Sequence, residues 1–152
     1  DPSELRNIAQ DNPDVVDKKL EEYEAWFAEV TRERDYNNPE RIQLGTPYQE
    51  HVILSRFDWR GPESKTRIGH WEVESIEEKK YRIALRFDPA RRSGMAWVRY
   101  AGVTFSTKVR KGASRIVFED IVLPAAKGRF EAFLKLERMP EGPRFVDVIL
   151  QK

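Results

Sequence analysis

From Val16 onward, apolar residues recur at Leu20, Tyr23, Phe27 and Val30, at intervals of four, three, four and three. That spacing predicts an amphipathic helix with a single apolar stripe. Asn12-Pro13 marks its start: asparagine at the N-cap accepts from free amides, and proline at the first helical position gives up a donor that has no partner there. Asp14 and Asp17 follow in the first turn, where the helix dipole favours negative charge, and the pattern carries the helix to about Arg32. Residues 34–50 (RDYNNPERIQLGTPYQE) hold two prolines and two asparagines without a sustained period, which predicts a linker. Beyond it the period falls to two. Strands are predicted at 51–55, 69–75, 80–87, 95–100, 103–109, 115–123, 129–137 and 144–150. Tyr81, Ile83, Leu85 and Phe87 alternate with Arg82 and Arg86, and Phe130, Ala132, Leu134 and Leu136 again fall on every second position. About eight short strands set off by Gly, Pro, Asp and Lys turns predict an antiparallel β-sandwich, jelly-roll-like in strand count. One amphipathic helix precedes it. Trp71 and Trp97 fit the alternation and are assigned to the core. The organisation is a helical segment at 1–33, a linker at 34–50 and a β-sandwich at 51–152.

Length and charge sharpen this picture. The 152 residues suffice for one domain with a substantial core, or for a small domain and an appendage. No run approaches the roughly 18 apolar residues of a membrane span. The chain has no cysteine, which removes disulfides, thiolate metal sites and cysteine nucleophiles from consideration. The net charge is only +1, yet it is unevenly spread. Residues 1–40 carry 12 acids and 5 bases, whereas residues 89–118 carry 7 bases and no acid. An acidic front and a basic middle suit mutual attraction, or an anionic ligand for the basic part.

Candidate chemistry is sparse. His51 and His70 lie in predicted strands with no further histidine at ligand spacing, so both read as strand residues rather than as metal ligands. No serine sits in a nucleophile-elbow context, and no phosphate-binding glycine loop or EF-hand loop is present. The most unusual stretch is RFDWRGPES, which gathers Arg56, Asp58, Trp59 and Arg60 ahead of a Gly-Pro turn. It has two readings. In one, an Asp–Arg pair and a tryptophan cover the edge of the sandwich. In the other, the tryptophan stacks on a sugar while guanidinium groups bind sulfate or carboxylate in fork geometry. The basic stretch that begins at Arg91 and Arg92 divides likewise, between solvated strand faces and an anion-facing surface. RRSGMAWVRY interleaves bases and aromatics as nucleic-acid binders do, but the overall charge of +1 argues against nucleic acid as the principal ligand.

The opening string DPSELRNIAQDNPDVVDKKLEEYEAWF resembles the C-terminal end of bacterial arylsulfatase-type catalytic domains. There a D-P-x-E turn is followed by N-[LI]-A, P-x-V and a helix, and Asp1, Pro2, Glu4, Asn7, Ile8, Ala9, Pro13 and Val15 fill those places. RIQLGTPYQEHVILSRFDWRGP, GHWEVE, YRIALRF and LPAAKGRFEAFL are similar to the extra C-terminal β-domain of a subset of these sulfatases. The resemblance implies a parent enzyme that hydrolyses sulfate esters in the periplasm or outside the cell. Its formylglycine would derive from a C/S-x-P/A-x-R motif and lie beside a Ca²⁺ held by carboxylates. No such motif occurs in these 152 residues, so no catalytic residue carries over and no cofactor is expected in this chain.

Two functions follow for the sandwich. It is expected either to be a non-catalytic accessory domain that helps the sulfatase hold a carbohydrate, plausibly a sulfated glycan, or to cap the catalytic domain or set its oligomeric state without a ligand. Arg56, Asp58, Trp59, Arg60, Arg91 and Arg92 are the candidate carbohydrate- and anion-binding residues. The expected partners are the upstream catalytic domain and, through the helical stripe, a second copy of the chain.

Overall fold

The computed structural model describes residues 5–33, 40–61 and 68–151. The chain divides into two compact units, residues 1–40 and 41–152.

In the first unit a single 3-10 turn, Ala9–Asp11, leads into helix α1, Pro13–Thr31. The turn forms because the Asn7 side-chain oxygen accepts from the Ala9 amide at 3.0 Å, a short-range bond that asparagine offers readily. Asn12 occupies the N-cap position, and its carbonyl accepts from the Val16 amide at 3.2 Å. Its side chain does not cap the helix as the sequence predicts. The amide nitrogen instead donates back to the Ile8 carbonyl at 2.9 Å, which the preceding turn brings within reach. Val16, Leu20, Tyr23, Phe27 and Val30 form the predicted stripe, all of them exposed. Tyr23 lies nearly parallel to Phe27 at 5.9 Å between ring centroids.

The second unit is a two-sheet β-sandwich. Its strands are β1 (Ile42–Leu44), β2 (His51–Ser55), β3 (Trp71–Ser75), β4 (Lys79–Arg86), β5 (Gly94–Tyr100), β6 (Val103–Val109), β7 (Arg115–Leu123), β8 (Ala126–Lys135) and β9 (Phe145–Leu150). Five strands form one sheet in the order β1-β3-β8-β5-β6, and four form the other in the order β2-β9-β4-β7. All pairings are antiparallel except β1 with β3. The segment read as a linker therefore contains a strand. Its residues 34–39 lie outside the described residues, but Ile42 and Leu44 pack with the core and extend the five-stranded sheet by a parallel edge. Three residues are too short to show a period, which is why the sequence hides β1.

Alternation builds the core. Tyr81, Ile83 and Leu85 of β4 face inward, as do Ala96, Val98 and Tyr100 of β5 and Phe130, Ala132 and Leu134 of β8. They merge with Leu54, Trp71, Val73, Val146 and Val148 into one buried cluster fed by both sheets. In β7 the alternation slips by one residue. The β4–β7 register shifts between Tyr81 and Ile83, and Asp120 adopts φ 54°. This is a β-bulge, and the aspartate tolerates the left-handed conformation better than most residues. Its effect is that Phe118 and Ile121, three apart, both point into the core.

At the core's edge Ser75, Tyr100 and Ala126 satisfy one another. The buried Ser75 amide donates to the Tyr100 hydroxyl at 3.0 Å, and that hydroxyl donates to the Ala126 carbonyl. Burial pushes the Tyr100 phenol above its ordinary pKa. Tyr100→Phe removes one oxygen and leaves both backbone groups without that partner. It is expected to cost about 1–2 kcal/mol in urea unfolding, more than the loss of a solvated hydroxyl, which would be close to zero.

Candidate functional site

In the stretch Arg56–Arg60, Trp59 is half-buried and the other four residues are exposed. A 3-10 turn, Arg56–Asp58, starts where the Ser55 hydroxyl accepts from the Phe57 amide. The Arg56 guanidinium donates to the carbonyls of Pro143 at 3.0 Å and Gly142 at 2.6 Å, and lies 5.6 Å from the centroid of the Trp59 ring. Trp59 packs against the core and is tilted on Trp71 at 5.9 Å. Gly69 and Gly142 give the indole its room. A Cβ on either glycine would come within 2.6 Å of a ring carbon. The buried Trp59 Nε1 finds no acceptor among the described residues. Among the described residues Asp58 pairs with no arginine, and it accepts from the Ser55 hydroxyl at 2.9 Å. Asp58 and Arg60 are exposed. Arg60 joins the fold through its backbone, which exchanges hydrogen bonds with His70 at 2.8 and 2.9 Å. Guanidinium and indole thus clamp the loop that precedes β9.

Arg91 and Arg92 lie elsewhere, on the β4–β5 connection. Arg91 lines a cleft of about 520 Å³ with Asp88, Glu137, Arg138, Met139 and Glu141. Arg92 lies 4.0 Å from Glu137. The Arg144 guanidinium donates to Asp88 at 2.9 Å and holds its carboxyl below the usual carboxylate range, so the cleft carries both signs of charge at neutral pH. The six sequence candidates therefore fall into two places: Arg56, Asp58, Trp59 and Arg60 just after β2, and Arg91 and Arg92 at or beside a mixed-charge cleft where β8 ends.

The residue that the sequence misplaces is Trp97. In β5, Ala96, Val98 and Tyr100 take the core side, so Met95, Trp97 and Arg99 must face outward. Trp97 belongs to the outer face of the five-stranded sheet and not to the core. There it stacks on Phe133 of β8, its direct cross-strand partner, with centroids 5.1 Å apart and planes 16° off parallel. Arg99 lies over Phe133 at 4.8 Å and is 3.7 Å from Glu131. Phe133 is only 6% exposed although it points away from the core, because Trp97 and Arg99 cover it. Trp97 remains partly exposed. Register puts exposed Ser106 and Thr104 of β6 beside Trp97 and Arg99. An aromatic platform fixed by its neighbours, rimmed by hydroxyls and charges, sits on two central strands of a rigid sheet. One signal for it was present in the sequence: charged Arg99 shares the parity of Trp97.

The four-stranded sheet presents a different outer face. Asp147 points out of the core yet is only 7% exposed, covered by Arg86 and His51. Arg86 reaches the carboxylate at 2.9 and 3.1 Å, and His51 Nε2 lies 3.2 Å from it. His70 Nε2 lies 3.2 Å from Glu72 on the other sheet. Both histidines are thus engaged by single carboxylates. Among the described residues no group of three or more histidine, aspartate or glutamate side chains is placed to hold a metal ion. The calcium that the resemblance implies has no fitting donor set here. No helix of the described residues is long and apolar enough to cross a membrane.

Fold and face together define a two-sheet β-sandwich with an aromatic platform on one outer surface. No family model matches the chain, and no curated protein matches it in sequence. A solved structure of Podospora anserina, described as a GH26-CBM35 β-(1,4)-mannanase, is similar over 68% of this chain at 10% identity and a TM-score of 0.45. The match spans 25% of that chain, and it is too distant to assign a family, a substrate or an activity.

Proposed function

We propose that residues 41–152 form a non-catalytic accessory module that binds carbohydrate on the outer face of the five-stranded sheet. The resemblance of residues 1–33 to the end of a sulfatase catalytic domain supports a parent enzyme acting on sulfate esters. The observation that carries the binding reading is Trp97. A tryptophan directed away from the core costs hydration without adding to the main packing, and this one is held flat by Phe133 beneath it and Arg99 beside it. Pyranose rings offer an apolar face that an indole covers, and their hydroxyls find donors and acceptors in Ser106, Thr104 and Glu131 around the rim. The site is preorganised, because its aromatic groups sit on strands rather than loops.

A calorimetric titration of the whole chain against a panel of polysaccharides tests this. At least one should bind, and Trp97→Ala should weaken that binding about thirtyfold, the effect of losing an anchor worth about 2 kcal/mol. Because the variant also uncovers Phe133, its melting temperature should fall by a few degrees, and binding is compared where both proteins are fully folded. Binding untouched by Trp97→Ala would move the site off this face. Binding of no glycan at all would leave the sandwich to capping or oligomerisation. Two observations favour that second reading: the use of Arg56 and Trp59 to hold the loop before β9, and the exposed stripe on α1.

A further inference from the structure

Charge divides the outer face of the five-stranded sheet into two halves. On the β3 side each cation meets a carboxylate. Glu72 gathers Arg41, Arg129 and His70, Glu74 lies 3.5 Å from Lys127, and Glu131 lies 3.7 Å from Arg99. β3 ends where Trp71 pairs with Phe130, and further along β8 the described neighbour on that side is Glu141, whose backbone bridges Leu134. On that far side register aligns Lys108 of β6, Met95 of β5 and Lys135 of β8 in one row across the sheet. Lys108 and Lys135 are exposed, and among the described residues no carboxylate lies within 4 Å of either. This row is two residues along the strands from Trp97 and Phe133, a distance of about 7 Å. Past it lie Arg92 and Glu137, 4.0 Å apart, and the cleft with Arg91.

We infer that the platform continues into a cationic subsite, built by Lys108 and Lys135, that takes an anionic substituent on the carbohydrate stacked on Trp97. The inference rests on the carbohydrate reading of that face and specifies its ligand as an acidic polysaccharide. Geometry gives the reason: a chain stacked on Trp97 and running along the strands passes between the two ammonium groups within roughly one Debye length of each. Unpaired lysines keep their full hydration and charge until such a ligand arrives, whereas the β3 half is already neutralised by its own carboxylates. Ammonium groups read an anion as point charges and do not select its shape. Carboxylate and sulfate therefore share the chemistry, and the test separates them.

The whole chain is titrated with dextran, with alginate, which carries carboxylates only, and with dextran sulfate, at about 0.05 and 0.3 M salt. One or both acidic chains should bind more tightly than dextran, with affinity falling several-fold at the higher salt. Which acidic chain binds identifies the anion. The double substitution Lys108→Gln, Lys135→Gln should cost about fivefold for that chain, from two contacts of roughly 0.5 kcal/mol each, and abolish most of the salt effect. Lys80→Gln with Arg82→Gln makes the same charge change on the four-stranded sheet and should cost little. Dextran bound as well as the acidic chains, or affinity indifferent to the lysine pair, overturns the cationic subsite while the carbohydrate reading stands. Acidic chains bound equally by the Trp97→Ala variant, or no chain bound at all, overturns both.

Discussion

Trp71→Ala is expected to lower the free energy of unfolding by about 3–5 kcal/mol, the range found when a large aromatic is cut from a packed core. The residue is 0% exposed and begins β3 in the five-stranded sheet. Its indole N–H donates to the Ser55 carbonyl at 2.7 Å, at the end of β2 in the four-stranded sheet. One side chain thus fills the core and ties the sheets together by a directional bond. Phe130 meets it edge-on at 6.3 Å and Trp59 tilts against it at 5.9 Å, so both lose a face when it goes. Urea unfolding followed by far-ultraviolet circular dichroism measures the change, and Trp71→Phe separates its parts. Phenylalanine restores most of the volume but leaves the Ser55 carbonyl without its donor, so about 1–3 kcal/mol of the loss should remain. A loss under about 1 kcal/mol for the alanine variant would mean that the core refills the space, contrary to the dense packing of these rings.

Period and parity made the sandwich legible, and they also mark where the reading stopped. β2, β6 and β7 lie within the residues predicted, since each is a run of alternating or apolar residues closed by turn chemistry. β8 starts at Ala126, earlier than predicted, because Gly128 and Lys127 do not look like strand residues. They extend there because β3 offers Val73 and Glu74 as partners, a long-range pairing with no local trace. Trp97 shows a different failure. Its alternation with Ala96 and Val98 is visible, but alternation says that two faces exist and not which is the core. Hydrophobicity favours the tryptophan for the interior, whereas Ala96, Val98 and Tyr100 take it. Arg99 decides the parity, and only by being counted on the same side as Trp97.

The Arg56–Trp59 cluster shows a further limit. Its Arg56 is held by the carbonyls of Gly142 and Pro143, 86 and 87 residues away, a long-range pairing with no local trace in the sequence. The sequence could name these side chains but not their partners. Phe57 differs within the same stretch: it is apolar and almost fully exposed, because the 3-10 turn directs it away while the half-buried Trp59 packs against the core.

That packing leads to the second large effect, and to a way of proving what Trp59 is for. Gly142→Ala places a Cβ 2.5 Å from Cη2 and 2.6 Å from Cζ2 of the Trp59 ring, so either the ring or the loop must move. The loop is not free to move, because the Gly142 carbonyl accepts from Arg56 and the Glu141 backbone pairs with Leu134 at 2.7 and 2.9 Å. The expected cost is about 2–3 kcal/mol, in the range of overpacked cores. In a Trp59→Leu background the obstructing ring atoms are gone, and Gly142→Ala should then cost under about 1 kcal/mol. The double-mutant cycle should accordingly return a coupling of about 1–2 kcal/mol. Gly69→Ala supplies the contrast. Its Cβ would meet the same indole at 2.6 Å but also the Arg60 carbonyl at 2.5 Å, and that carbonyl is fixed by accepting from the His70 amide. Removing the indole relieves only part of the conflict, so Gly69→Ala should remain costly in both backgrounds. Additive costs for Trp59 and Gly142 would show that the indole leaves its slot at little expense, as a side chain kept for stacking on a ligand would. Strong coupling instead makes Trp59 a structural wedge and leaves Trp97 as the aromatic that faces outward for binding.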